Sequence, residues 1–223
     1  IMSPKKNLLD YGFDKVKTKI ILKKLSLFSP KLFKSSQIRE SDFPLVYKGR
    51  GKHLISTKGF SLIKNYKSFL KIKSDKNYIF EQEIKGVEYT VDVISNYKKK
   101  FTLVLPRQRI KTKNFVSIKA KIDLNSRIIK QAKIISSFFN FIGLANFQCI
   151  VDDKKKNIYW TDLNLRISGG IDFALQSIPN FFEILINSIE NKKINNISKI
   201  KLNKKILYSK NIHYLCTEKN FIK

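Results

Sequence analysis

Cysteine and histidine are almost missing from this 223-residue sequence. Two cysteines, Cys149 and Cys216, are too few and too far apart for a disulfide scaffold or a cysteine-based zinc site. Two histidines, His53 and His213, exclude a multi-histidine metal centre. No apolar run reaches the length of about 18 residues that marks a membrane-spanning helix. The nearest, residues 134–151, is broken by Ser136, Ser137, Asn140, Asn146 and Gln148. The stretch from Met2 to Leu25 is rich in lysine and has no continuous apolar centre, so no signal peptide is visible and a cytoplasmic location is expected. Acidic residues are also scarce, 17 against 45 Lys+Arg, which gives a formal charge of +28. Only Arg39, Arg50, Arg107, Arg109, Arg127 and Arg166 of the basic residues are arginine, and the lysines are spread over nearly every segment. There is no arginine-rich run and no groove-reading motif, so specific nucleic-acid recognition is not expected. The surface should still attract polyanions in a salt-dependent way.

What is present is core material. Hydrophobic residues make up 43% and aromatics 12%, which excludes a disordered chain. The abundance of Lys, Ile, Asn and Phe fits compositional drift toward AT-rich codons. The spacing predicts a helix over Asp14–Leu25, capped by Asp14, with an apolar stripe of Val16, Ile20, Ile21 and Leu25. Extended segments are expected at Phe43–Tyr47, Phe60–Ile63, Tyr78–Ile84, Val87–Ser95 and Phe101–Leu105. The Lys85-Gly86 pair reads as a hairpin turn between two of them, and Pro106 as the end of the last. A long helix is expected over Ser126–Ile142 with Gly143 as its C-cap. A strand pair, Phe147–Val151 and Ile158–Leu163, follows. Next come a helix over Asp172–Ile189 interrupted by Pro179, a polar surface excursion over 191–205 and a returning strand in Ile206–Cys216. Interleaved helices and hairpins give an α+β class.

The chemistry concentrates in Thr161-Asp-Leu-Asn-Leu-Arg-Ile-Ser-Gly-Gly170. On a strand, period-two spacing puts Asp162, Asn164 and Arg166 on one face and Leu163, Leu165 and Ile167 on the other. Taken alone, such a strip also fits a solvent-facing polar edge. As a site, its hard oxygen atoms suit Mg²⁺ that shares phosphate oxygens, and the arginine suits a transferring phosphoryl group. Ser168-Gly-Gly170 allows a tight turn before a helix. Gln148, on the preceding strand, can face the same strip.

These segments, in order, resemble the ATP-grasp superfamily, in its carbamoyl-phosphate-synthase-like branch. The matching stretches are Asp14-Lys15, Pro44-Leu-Val-Tyr-Lys48, Gly86-Val-Glu-Tyr-Thr-Val-Asp92, Pro106-Arg-Gln-Arg109, Asn146-Phe-Gln148 and Asp162-Leu-Asn-Leu-Arg-Ile-Ser-Gly-Gly170. The resemblance implies an ATP-grasp fold with two α+β subdomains and the nucleotide between them. It implies an ATP-grasp domain over 14–190, with a nucleotide-covering subdomain at about 43–84, and a C-terminal extension over 191–223. Family members usually carry a small α/β domain ahead of the Asp-Lys helix. Residues 1–13 are therefore expected to be a remnant or linker from a missing N-terminal domain. A homo-oligomer is the other assembly considered.

The resemblance further implies an ATP- and Mg²⁺-dependent ligase. It would activate a small-molecule carboxylate as an acyl phosphate for attack by an amine or similar nucleophile. Lys15 and Lys48 would contact phosphates. The Glu81-Gln82-Glu83-Ile84 backbone would recognise adenine, and Glu88 the ribose. Gln148, Asp162 and Asn164 would hold Mg²⁺. Arg166 would stabilise the reacting phosphoryl group, and Arg107 and Arg109 would bind the substrate carboxylate or acyl phosphate. The sequence departs from the family at Asp162 (usually Glu), Leu165 (usually Pro), Gly49 after Lys48 (usually Pro), Gln82 (usually Glu) and a glycine-poor loop at 51–59. These departures motivate the alternative of a diverged, non-catalytic nucleotide-binding module.

Overall fold

The structure, a computed structural model, describes residues 10–12, 14–51, 60–72, 77–113, 116–178, 180–192, 194 and 207–209. The 51–59 loop beyond Gly51, Pro179, most of the 191–205 excursion and the segment after Ser209 lie outside these residues. None of the described helices is long and apolar enough to cross a membrane.

The first helix, α1 (Lys15–Lys24), starts where the Asp14 side chain accepts hydrogen bonds from the Val16 and Lys17 amides. Such a cap stabilises a helix start by about 1 kcal/mol. Its buried face is Thr18, Lys19, Ile21 and Leu22, which shares Ile21 with the expected stripe, and Leu25 packs against the same core. Ile20 is 62% exposed, because the helix turns Lys15 and Lys19, two of its five lysines, toward the strands that carry carboxylates.

Four short strands then form the smaller sheet: β1 (Leu32–Phe33), β2 (Leu45–Gly49), β3 (Phe60–Ile63) and β4 (Tyr78–Gln82), in the order β1-β4-β2-β3. Helix α2 (Tyr66–Leu70) packs Phe69 against it, in an aromatic core with Tyr47 and Phe80.

The larger sheet contains β5 (Gly86–Asn96), β6 (Phe101–Lys113), β7 (Val116–Ile122), β8 (Ile142–Asp152), β9 (Ile158–Asn164) and β10 (Leu207–Ser209), in the order β10-β7-β6-β5-β8-β9. All its pairings are antiparallel. Helix α3 (Ser126–Phe139) and α1 cover one face, where Val91, Val93, Phe147, Trp160 and Ile128 are fully buried. Leu22 belongs to that core at 0% exposure, so Leu22→Ala should cost about 2–5 kcal/mol. Helices α4 (Ile171–Ser177) and α5 (Phe181–Ile189) cover one end of the opposite face, over Ile94, Leu105 and Ile122.

Three local expectations are corrected. Tyr78–Gln82 and Gly86–Asn96 do not form a hairpin: they belong to different sheets, and Glu83–Lys85 is the crossover between them. Gly86 is needed there for close approach, since a Cβ would come 2.1 Å from the Val151 carbonyl oxygen. Pro106 does not end a strand; β6 continues through it to Lys113, paired at Val91. Its carbonyl accepts the Asp123 amide just past the end of β7, so the missing N–H falls where no partner strand remains. Gly143 is not a C-cap. The α3 helix ends at Asn140, which takes the left-handed conformation, and Gly143 lies inside β8 opposite Ser95. The break between α4 and α5 falls around position 179, and Leu207–Ser209 pairs with β7 as a returning strand.

Candidate functional site

A cavity of about 580 Å³ lies between the smaller sheet, α1 and the uncovered end of the larger sheet. That volume suits a small ligand. Period-two geometry supplies its floor. On β5, β6 and β8 the residues that alternate with the Tyr89, Val91 and Phe147 core positions face the cavity: Glu88, Arg109 and Gln148. On β9 an irregularity resets the alternation. Cys149 pairs with Trp160 and Gln148 with Asp162, so Thr161 is an extra residue. This bulge lets Trp160 and Leu163 both enter the core while Asp162 and Asn164 line the cavity. The freed Thr161 carbonyl accepts a hydrogen bond from the Lys48 Nζ at 3.1 Å.

All the sequence-predicted site residues but one line this cavity. Lys48 and Glu81 come from β2 and β4, and Lys15 from the first turn of α1. Gln82 comes from the end of β4, Glu83 and Ile84 from the crossover, and Arg166 from the loop after β9. Arg107 is the exception. It is 1% exposed, with its Nε 2.8 Å from Asp92 Oδ2 and its guanidinium over the Phe173 ring. It is shut away beneath α4, so direct contact with a substrate carboxylate is not available to it in this arrangement.

The charges in the cavity wall, with Lys19 behind them, form an open chain. Lys19 meets Glu81 at 3.0 Å, Glu81 meets Lys48 at 3.0 Å, Lys48 approaches Asp162 at 3.8 Å and Asp162 meets Lys15 at 2.8 Å. Three lysines against two carboxylates leave one positive charge in excess. Burial opposes the charge on Lys48, but Asp162 and Glu81 outweigh it and hold its pKa above the ordinary lysine value. Burial also opposes ionisation of Asp162, yet Lys48 and Lys15 hold its pKa below the usual aspartate value. For Lys19, burial dominates over Glu81 and lowers its pKa.

Arg109 donates to Glu88 Oε1, so the residue expected at the ribose and one expected at the substrate carboxylate hold each other. Desolvation raises the Glu88 pKa against the opposing effect of Arg109. Arg166 is exposed, and its Nη1 donates only locally, to the Ile167 carbonyl at 3.1 Å. The expected face of Leu163, Leu165 and Ile167 holds for the first two only, since Ile167 is 50% exposed.

The donor set bears on Mg²⁺. Asp162 and Gln148 are register partners and Asn164 follows on the same wall, so hard oxygen donors converge. There is one carboxylate among them, and no group of three His, Cys, Asp or Glu able to hold a metal occurs among the described residues. This set fits Mg²⁺ as an ion that brings phosphate oxygens with it, not as a bare ion.

Sequence reasoning missed Lys19, the side-chain role of Glu81 and the bulge at Thr161. Lys19 had a signal, since it stands four residues after Lys15 on one helix face. The spacing of Ile158, Trp160 and Leu163, two and then three, was the signal for the bulge. The Glu81 pairings depend on which strand lies beside β4 and on how α1 packs over the smaller sheet, and no local pattern carries that.

The family described as "ATP-grasp in the biosynthetic pathway with Ter operon" matches residues 74–212, more than half of the chain. The chain belongs to this ATP-grasp family. Solved structures with the ATP-grasp fold agree. Biotin carboxylase from Campylobacter jejuni, a β,γ-ATP complex, superposes with a TM-score of 0.75 at 16% identity, over 90% of this chain and 51% of that one. N5-carboxyaminoimidazole ribonucleotide synthetase from Thermotoga maritima gives 0.69 at 20% identity, over 86% and 52%. The biotin carboxylase domain of 2-oxoglutarate carboxylase from Hydrogenobacter thermophilus, with MgADP, ADP and bicarbonate, gives 0.72 at 11% identity, over 90% and 50%. This ATP-grasp chain thus spans about half the length of the structures it matches. No curated protein matches its sequence.

Proposed function

We propose that the chain is the nucleotide-binding and phosphoryl-transfer part of an ATP- and Mg²⁺-dependent ligase. The ligase activates a small-molecule carboxylate for attack by an amine or similar nucleophile. The observation that carries this reading is convergence. Residues from six separate sequence segments, each expected at a nucleotide site, line a single cavity between two sheets. The named structural neighbours include ATP and MgADP complexes, which supports the choice of nucleotide.

Bound Mg·ATP supplies the phosphoryl group that turns a carboxylate into an acyl phosphate. The chain's own residues do the rest. Lys15 and Lys48 neutralise phosphate charge without taking part in bond making. The backbone of 81–84 recognises adenine, while the Glu81 side chain is committed to two lysines. Glu88 accepts from ribose hydroxyls, held in orientation by Arg109. Gln148, Asp162 and Asn164 would hold Mg²⁺, Asp162 being the carboxylate that Lys15 and Lys48 engage. Arg166 stabilises charge on the transferring group, and Arg109 remains the cavity's candidate for the substrate carboxylate. We place the complete activity in a longer protein or assembly, given the half-length match. A soluble, cytoplasmic setting belongs to the same proposal.

A second reading, a diverged module that binds nucleotide without turnover, has one observation in its favour. The only carboxylate in the metal set is already engaged by Lys15 and Lys48. The two readings separate by experiment. ATP binding is measured with and without Mg²⁺, and ADP release is then followed with a panel of small carboxylic acids. Stimulated ADP release supports the ligase. ATP binding that no carboxylate converts to ADP release supports the second reading, and no ATP binding contradicts both.

A further inference from the structure

The polar strip on the larger sheet does not stop at the cavity. It continues under α4 as Asp92, Arg107 and Asn146, each no more than 4% exposed. Asp92 uses both carboxylate oxygens. Oδ2 accepts from Arg107 Nε at 2.8 Å and Oδ1 from Asn146 Nδ2 at 3.3 Å. The other end of the guanidinium reaches across to the loop after β9. Arg107 Nη2 donates to Ser168 Oγ at 3.2 Å, and the same oxygen accepts the Gly170 amide at 3.3 Å. Gly170 packs so closely on the guanidinium that a Cβ would lie 2.8 Å from Nη2. Three strands are thereby bonded to one turn, and that turn begins two residues after Arg166.

We infer that Asp92, Arg107 and Ser168 form a buried anchor that fixes the 165–170 loop, and that Arg107 and Ser168 are positioning residues for Arg166. The inference rests on the role proposed for Arg166. The loop is held at both ends, by the last paired residue of β9, Asn164, and by Ser168. Between these points the Arg166 side chain has only its bond to the Ile167 carbonyl among the described residues. Its placement over the cavity therefore follows from the backbone, and the backbone follows from the anchor. A planar fork is required of Arg107, because it bonds a carboxylate and a hydroxyl on opposite sides at once, which lysine cannot do. Ser168 must be small and hydroxyl-bearing, because it accepts two donors in a site 7% exposed.

The test compares ATP with ADP, because Arg166 addresses the terminal phosphoryl group. Affinities for both are measured with Mg²⁺ by calorimetry for wild type, Arg166→Ala, Ser168→Ala, Ser168→Thr and the double variant Arg166→Ala/Ser168→Ala. Arg166→Ala should lower the ATP-over-ADP preference by about 10-fold. Ser168→Ala should lower it in the same direction, by about 3-fold or more. Ser168→Thr should restore it, and the double variant should be no worse than Arg166→Ala. If Arg166→Ala collapses the preference while Ser168→Ala leaves it at the wild-type value, the inference is overturned and the proposed function stands. If Arg166→Ala changes nothing, the role given to Arg166 fails, and positioning of it fails too. The anchor itself has a readout that needs no nucleotide. Amide hydrogen exchange over 165–170 should quicken by about 10-fold in Ser168→Ala with α3 unchanged, and unchanged exchange in that loop overturns the anchor.

Discussion

Two sets of buried charge lie on the larger sheet's polar face and its surroundings, and they are built differently. At the cavity wall, Lys15 and Lys48, with Lys19 behind them, share Glu81 and Asp162 in a chain with surplus positive charge. Beneath α4, Arg107 and Asp92 are matched one to one, and Asn146 and Ser168 take up further bonds. The first set borders open space, and each of its carboxylates touches more than one cation. A partner can leave for a phosphate or a metal without stranding a charge. The second set is sealed at 1% and 4% exposure, so losing one partner strands the other. The difference separates residues fit for exchanging partners from residues fit for holding a shape.

The largest way to break this comparison is Asp92→Ala. It leaves Arg107 charged, buried and unpaired, and should cost about 3–5 kcal/mol in urea-induced unfolding. Glu81→Gln tests the contrasting claim. Asp162 still attends Lys48, and Lys19 can give up its proton more easily than an arginine, so the loss should be smaller, about 1–3 kcal/mol. Equal losses in the two variants would erase the distinction.

Arg166→Lys addresses the chemistry. With an identified carboxylate substrate, turnover should fall about 100-fold while ATP affinity changes only a few-fold, because the fork acts on charge that develops during transfer. Normal turnover with lysine there would refute the mechanism.

The pH dependence is a smaller effect of known sign. The Asp162 pKa is lowered in the fold, so its contribution is present above the ordinary aspartate value of 3.8 and is lost as pH falls below it. The Lys48 pKa is raised, so its contribution is present below the ordinary lysine value of 10.5 and is lost as pH rises beyond it. Asp162→Asn should therefore flatten both the acid and the alkaline limbs of a stability–pH profile. Unchanged limbs would mean that the pairing contributes nothing to folding. The same variant bears on the metal. Mg²⁺ titrated into the nucleotide-free chain should show no tight binding, and tight binding that survives Asp162→Asn would remove Asp162 from the metal site.

Much of this was legible in the sequence where short-range periodicity decides the outcome. The Asp14 cap, the α3 helix and the alternation from Asp162 to Leu165 are local, and the ordered motifs led to a shared cavity. What the sequence concealed is long-range. Lys85-Gly86 has the form of a hairpin turn, but whether β4 and β5 pair or part depends on which sheet each can complete. Pro106 marks a strand end only if both neighbours continue, and β7 has already stopped. Arg107 and Arg109 look equivalent in a Pro-Arg-x-Arg stretch. One faces the cavity and the other faces α4, because the helices cover half of the polar strip.

The central claim is that the cavity cations serve nucleotide phosphates. The direct measurement is calorimetric titration of Mg·ATP into the wild-type chain and Lys48→Ala under identical salt. The account predicts binding to the wild type and a loss of about 1.5–3 kcal/mol in Lys48→Ala, the size of a charge-assisted contact. Equal affinity of the two proteins for ATP would contradict it.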